Sequence, residues 1–232
     1  MRTKTLFLAA AITAAGLASS MAQSNVYSLN VVGYVNTVLT GGGSYNLIAN
    51  PLNVTAAGGN CVTNLFKIGS QTDGSTILRW NVGTQDIDGA IVTYSSVGAG
   101  SWDANPILNP GEGFFYVNNG TTITNTFVGE VIQGAYTNPV TGGGSFNCIG
   151  SSAPLGGSFT NSLGGLVLTD GDNALFWNVG TSDIDGAFAT YSTVGAGSWD
   201  TTAINNNVGS GFFYVRQGAS ANWVRNFTVP TP

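Results

Sequence analysis

The chain has 232 residues, of which 7% are charged and 11% aromatic, with 34 glycines, no histidine and a formal net charge of −5. An acidic chain with so few cations has no footprint for phosphate backbones, so nucleic acid is excluded as a partner class. Without histidine there is no Ser-His-Asp or Cys-His catalysis and no His-bearing zinc site, and the apolar and aromatic content is too high for disorder.

The chain opens with Arg2 and Lys4, followed by an apolar run from Leu6 to Leu17 that is too short to span a bilayer. Ser20-Met21-Ala22 then supplies small residues of the kind a signal peptidase cuts after. The sequence therefore predicts a signal peptide over 1–22 and an exported protein, periplasmic or extracellular, with no membrane span after cleavage. Beyond Ala22, four cations (Lys67, Arg79, Arg216 and Arg225) face eleven acids, a net charge of −7.

Trp80 to Asp103, WNVGTQDIDGAIVTYSSVGAGSWD, returns at Trp177 to Asp200 with only four differences in 24 positions: Gln85/Ser182, Ile91/Phe188, Val92/Ala189 and Ser96/Thr193. Thr40-Gly-Gly-Gly-Ser-Tyr-Asn46 likewise matches Thr141-Gly-Gly-Gly-Ser-Phe-Asn147, and Gly113-Phe-Phe-Tyr-Val117 matches Gly211-Phe-Phe-Tyr-Val215. The chain is a tandem duplication. Its repeats are set at 23–129 and 130–232, each long enough for its own core, and a junction this short predicts that they pack against each other.

Period-two alternation predicts strands over Ser44–Ala49, Ile77–Val82, Ala90–Tyr94, Phe114–Val117 and Ile123–Val128, the last two paired around the Asn118-Asn119-Gly120 turn. The fold class expected is all-β, two tandem sandwich- or barrel-like domains. Trp80 and Trp177 alternate with leucine and valine and are expected in the core of their own repeats. Arg79 of the first repeat is matched by Phe176, and Ile91 by Phe188, so these two rings are expected to form the contact between repeats. Cys148 aligns with Leu47, a core position, and both Cys61 and Cys148 are expected as free thiols.

Three constellations could carry chemistry. Trp102 and Trp199, beside Asp103 and Asp200 in glycine-rich loops, either cap the core or stack on a sugar ring while the carboxylates bond its hydroxyls. The Asp-Ile-Asp-Gly turns, Asp86 with Asp88 and Asp183 with Asp185, either close hairpins or bind calcium, the one cofactor the sequence suggests. The paired carboxylates a glycosidase needs are the third route; Glu112 and Glu130 are the only glutamates, and Glu112 is matched by Ser210 in the other copy.

Asn46-Leu-Ile-Ala-Asn-Pro-Leu52, a Trp-bearing strand, Ser101-Trp-Asp103 and Pro110-Gly-Glu-Gly-Phe-Phe-Tyr-Val117 follow one another in the first repeat. This order resembles the repeated "GWNLI–PL … W … PGEGFWV" β-modules of secreted bacterial proteins. The resemblance implies an exported accessory or surface module and transfers no site residue. The reading is a secreted, non-catalytic protein with a structural or binding role. Its partner class is a glycan or a cell-surface or matrix component. A carbohydrate-binding module is the alternative, and a hydrolase the third reading.

Overall fold

Gly113-Phe-Phe-Tyr-Val117 and its copy at 211–215 carry no polar residue on either face, the pattern of strands buried on both sides. The computed structural model describes residues 31–87, 91–158, 160, 164–184, 188–201 and 204–228. Residues 31–232 form one compact unit, nearly all β, built as two similar halves.

The first half contains β1 (Val32–Leu39), β2 (Ser44–Ala49), a helical turn α1 (Val62–Leu65), β3 (Thr76–Arg79), β4 (Ile91–Ser95), β5 (Ser101–Trp102), β6 (Gly113–Asn118) and β7 (Ile123–Glu130). An antiparallel sheet runs β2-β6-β3-β4-β5, and β1 and β7 form a separate antiparallel ribbon. The second half adds β8 (Gly134–Val140), β9 (Ser145–Gly150), β10 (Gly157–Ser158), β11 (Asn173–Leu175), β12 (Phe188–Ser192), β13 (Ser198–Trp199), β14 (Asn205–Asn206), β15 (Gly211–Arg216) and β16 (Ala221–Phe227). Its sheet, β9-β15-β11-β12-β13, and its ribbon, β8 with β16, repeat the first half, and β10 with β14 forms a short extra ladder.

The expected pairing of the strands around Asn118-Asn119-Gly120 is corrected. β6 pairs with β2 and β3, while β7 pairs with β1 in the ribbon. The buried side chain of Asn118 explains the departure: its Nδ2 donates to Leu39 O and Thr121 O, and its Oδ1 accepts from Gly120 N. The turn is thereby fixed as a corner between layers rather than a hairpin. Asn46 and Asn147 hold the triple-glycine turns in the same manner, each donating to three backbone carbonyls and accepting one amide.

Register decides what each face does. Ile48, Ile77, Phe114 and Tyr116 face the ribbon, where Val35, Leu39 and Phe127 close a core with Val62, Leu65 and Phe66. Phe66 sits at its centre, 5.1 Å from the Tyr116 ring and about 6 Å from those of Trp102, Phe114 and Phe127. Burying a side chain of this size contributes roughly 1.5–3 kcal/mol. The second core is built likewise from Val140, Ile149, Phe176, Phe212, Tyr214 and Trp223.

The opposite faces of the two sheets meet in a third core, a seam of Leu47, Leu78, Phe115 and Val117 from one half with Cys148 and Phe213 from the other. Leu175 and both Trp80 and Trp177 pack against it. Two expectations change here. The repeats do pack on each other, but Phe176 stacks on Phe212 inside its own half, and Phe188 is 50% exposed. Trp80 and Trp177 share a face with Leu78 and Leu175 as expected, yet that face looks across to the other repeat and leaves both indoles half-buried. A strand pattern assigns residues to faces but does not say which body covers each face.

Small residues let the sheets approach. Ala49 N donates to Gly209 O at 2.9 Å, and its duplicate Gly150 N donates to Gly111 O at 3.0 Å. A Cβ on Gly150 would lie 2.3 Å from that of Ala49, so only one of the two equivalent positions can carry a methyl group. Cys148, in the seam core, and Cys61 are both buried free thiols. Burial, with a smaller push from the Glu112 carboxylate, drives the Cys148 thiol well above its ordinary range.

Candidate functional site

The nearly identical stretch of the two copies supplies the loops that close the seam. After β3 the chain turns on Asn81, whose Oδ1 accepts Gly83 N and whose amide donates to Asp86 O at 2.9 Å. Asn178 and Asp183 repeat this arrangement. Gln85 and Ser182 both hold positive φ, 59° and 55°, a left-handed conformation that is uncommon outside glycine. That kink delivers Ile87 and Ile184 to the seam.

The two halves then exchange equivalent contacts. Trp80 Nε1 donates to Phe146 O at 2.8 Å, and Trp177 Nε1 donates to Tyr45 O at 2.7 Å. The Trp80 ring meets Phe213 edge to face at 5.0 Å, and Trp177 meets Phe115 at 4.8 Å. Such reciprocity is the mark of a self-complementary two-fold interface, here between repeats of one chain. One bond breaks the symmetry: Gln85 Oε1 accepts Phe146 N at 2.7 Å, and the copy carries Ser182 at that place.

Between these contacts lies an open cup of about 300 Å³, lined by four duplicate pairs: Tyr45 with Phe146, Trp80 with Trp177, Ile87 with Ile184, and Phe115 with Phe213. No polar atom contributes to its surface. Tyr45 and Phe146 form its exposed lip, at 39% and 38%.

Two flanking clefts, of about 330 and 460 Å³, open on either side of the seam. Trp80, Glu112, Tyr136 and Asn138 line the smaller. Glu112 is committed there: Oε1 accepts Arg79 Nε at 2.7 Å, and Oε2 accepts Asn109 N at 3.0 Å. Burial, and then the Glu112 charge, raise the Tyr136 phenol. Asn138 Oδ1 and Thr37 Oγ1, at equivalent positions beside the two clefts, are buried without a hydrogen-bond partner.

The residues singled out from sequence fall elsewhere. Trp102 is 8% exposed, inside the first core against Phe66, Tyr94 and Tyr116, so its ring has no free face for a sugar. Trp199 is half-buried on the second core and meets Tyr191 at 5.5 Å. Asp103 and Asp200 close strand turns, each Oδ1 accepting the amide of Thr93 or Thr190. Asp86 and Asp183 are exposed, each accepting the amide of the next residue at 2.7 Å. Asp88 and Asp185 lie outside the described residues. Among the described residues no three Asp, Glu or Cys side chains gather as a metal site.

The cup was not foreseen because Tyr45 and Phe115 look like ordinary core residues one strand at a time and Ile87 stands inside a turn. Their signal was double-sided burial, Gly113 to Val117 being apolar at every position. The chain matches no protein-family model, no curated protein and no solved structure.

Proposed function

We propose that this is an exported, non-catalytic binding protein whose ligand site is the aromatic cup on the seam between its repeats. The observation that carries the reading is the cup itself. Eight side chains from both copies converge on an open, wholly apolar concavity, and ligand sites are typically concave and lined mostly by apolar and aromatic side chains. A non-catalytic role is supported by Glu112, whose two oxygens are held by Arg79 and Asn109. The sugar-stacking alternative finds little in this cup, because both indole N–H groups are already donated to backbone carbonyls and no polar atom faces into it.

The binding reading is tested by titrating small apolar and aromatic compounds while following the indole N–H resonances of Trp80 and Trp177. Shifts confined to those two, and abolished by Tyr45→Ala with Phe146→Ala, are expected; shifts at Trp102 or Trp199 instead would move the site. Export rests on the leader, and intact mass of the mature protein should begin at Gln23. Retention of Met1 would overturn it.

A further inference from the structure

Resting on the cup as the ligand site, we propose that what it takes is a quaternary ammonium group, free in a small choline-like molecule or carried as a choline headgroup. The lining decides the class. Six of its eight side chains are aromatic, and no polar atom reaches the surface. A sugar, a metal ion or a primary ammonium entering such a space would lose hydrogen bonds to water that the walls cannot replace. A quaternary ammonium has no N–H to lose, and its charge is attracted by the faces of aromatic rings.

The charge of the chain points the same way. The two isoleucines of the lining are each preceded by an exposed aspartate, Asp86 and Asp183. Neither carboxylate is in an ion pair; the ion pairs among the described residues join Arg79 to Glu112 and Arg216 to Asp172. The chain as a whole is acidic, so a cation is drawn towards it. A neutral apolar group would gain from burial in the cup but nothing from these charges.

The test compares choline with 3,3-dimethylbutan-1-ol, its uncharged carbon isostere, by calorimetry on the full chain at low salt. Choline is expected to bind about tenfold more tightly than the isostere, the range of a cation held by aromatic rings. The preference should shrink in high salt and in Asp86→Asn with Asp183→Asn, since both carboxylates are exposed. Tyr45→Ala with Phe146→Ala, at the lip and outside the three cores, should remove it. Co-sedimentation with phosphatidylcholine vesicles, against phosphatidylglycerol vesicles, separates a lipid headgroup from a free ligand. Equal binding of choline and isostere would overturn the quaternary ammonium while leaving the cup as an apolar site. Binding of neither, with no shift at Trp80 or Trp177 for any apolar compound, would overturn both readings.

Discussion

Trp80 of the first repeat donates its indole N–H to the backbone carbonyl of Phe146 in the second at 2.8 Å, and Trp177 returns the same bond to Tyr45. Two copies of one sequence meeting about a two-fold axis must each supply both sides of the contact. The near-identical stretch supplies Trp80 and Ile87, with Trp177 and Ile184, to this seam. A self-complementary surface is constrained twice, once as donor and once as acceptor.

That reciprocity predicts that Trp80→Ala and Trp177→Ala destabilise the protein by similar amounts. The cost expected is about 2–3 kcal/mol each, below the range for a fully buried tryptophan because both rings are half-buried. The two rings sit on Phe213 and Phe115, whose centroids are 6.1 Å apart, so the changes should couple. A double-mutant cycle by urea denaturation should give an interaction of at least about 0.5 kcal/mol. Strict additivity would mean that the halves do not share this core.

Arg79 and Glu112 form an ion pair where the copy has Phe176 and Ser210, so both partners differ between the copies. Glu112→Ala should cost about 1–2 kcal/mol, because it strands a half-buried guanidinium and the Asn109 amide. Copying the second repeat, with Arg79→Phe and Glu112→Ser together, should recover most of that loss. Phe176 stacks on Phe212 at 5.6 Å, and Phe114 stands at the equivalent place beside Arg79. A double variant weaker than Glu112→Ala would show that the two cores are not interchangeable at this position.

The duplication and the β class were legible in sequence, and where strands alternate, as at Tyr45, Leu47 and Ala49 or Val92 and Tyr94, so was the shared face; β1 and β8, the first strand of each ribbon, were not expected. Three further things were not legible. The β6–β7 connection reads as a hairpin because Asn-Gly tolerates positive φ, and the outcome was settled by Asn118, whose tertiary bonds to Leu39 and Thr121 no local rule contains. Trp102 stands in a glycine-rich loop and was open to either burial or exposure; Phe66, 36 positions away, buries it. The cup arises only when Tyr45 and Phe146, about 100 residues apart, come together across the seam. Contacts between non-adjacent segments leave no periodic trace.

Alkaline pH should destabilise the fold. Tyr116 and Tyr214 are fully buried, and burial holds both phenols above their ordinary range, with the Asp172 carboxylate that accepts the Tyr214 hydroxyl adding to the effect. Their folded-state pKa values are raised, so the contribution is intact below about pH 10, where unfolded tyrosine ionises, and is lost as pH rises beyond it. The loss should approach about 1.4 kcal/mol per pH unit for each tyrosine. Urea midpoints between pH 8 and 11.5 would show a plateau and then a decline. A midpoint that stays level to pH 11.5 would mean the phenols ionise freely in the folded protein.

The closest approach of the two sheets gives a test of the seam that does not disturb an aromatic ring. Gly150 and Ala49 are duplicates facing each other across the pseudo-two-fold axis, and a Cβ on Gly150 would lie 2.3 Å from the Ala49 methyl carbon. The Ala49 side chain is fully buried, and the backbone on both sides is tied by the Gly209 and Gly111 carbonyls, so neither strand has room to retreat. Gly150→Ala should therefore cost about 1–3 kcal/mol through overpacking. Adding Ala49→Gly moves the methyl group from one duplicate to the other and should recover part of the loss. Recovery should be incomplete, because the new Cβ would also stand 2.9 Å from Ser210 O. Equilibrium denaturation of the two single variants and the double decides the matter. Were Ala49→Gly to add its own cost to that of Gly150→Ala, the strands would not oppose each other at this point, and the two-fold seam with its cup would be wrongly placed.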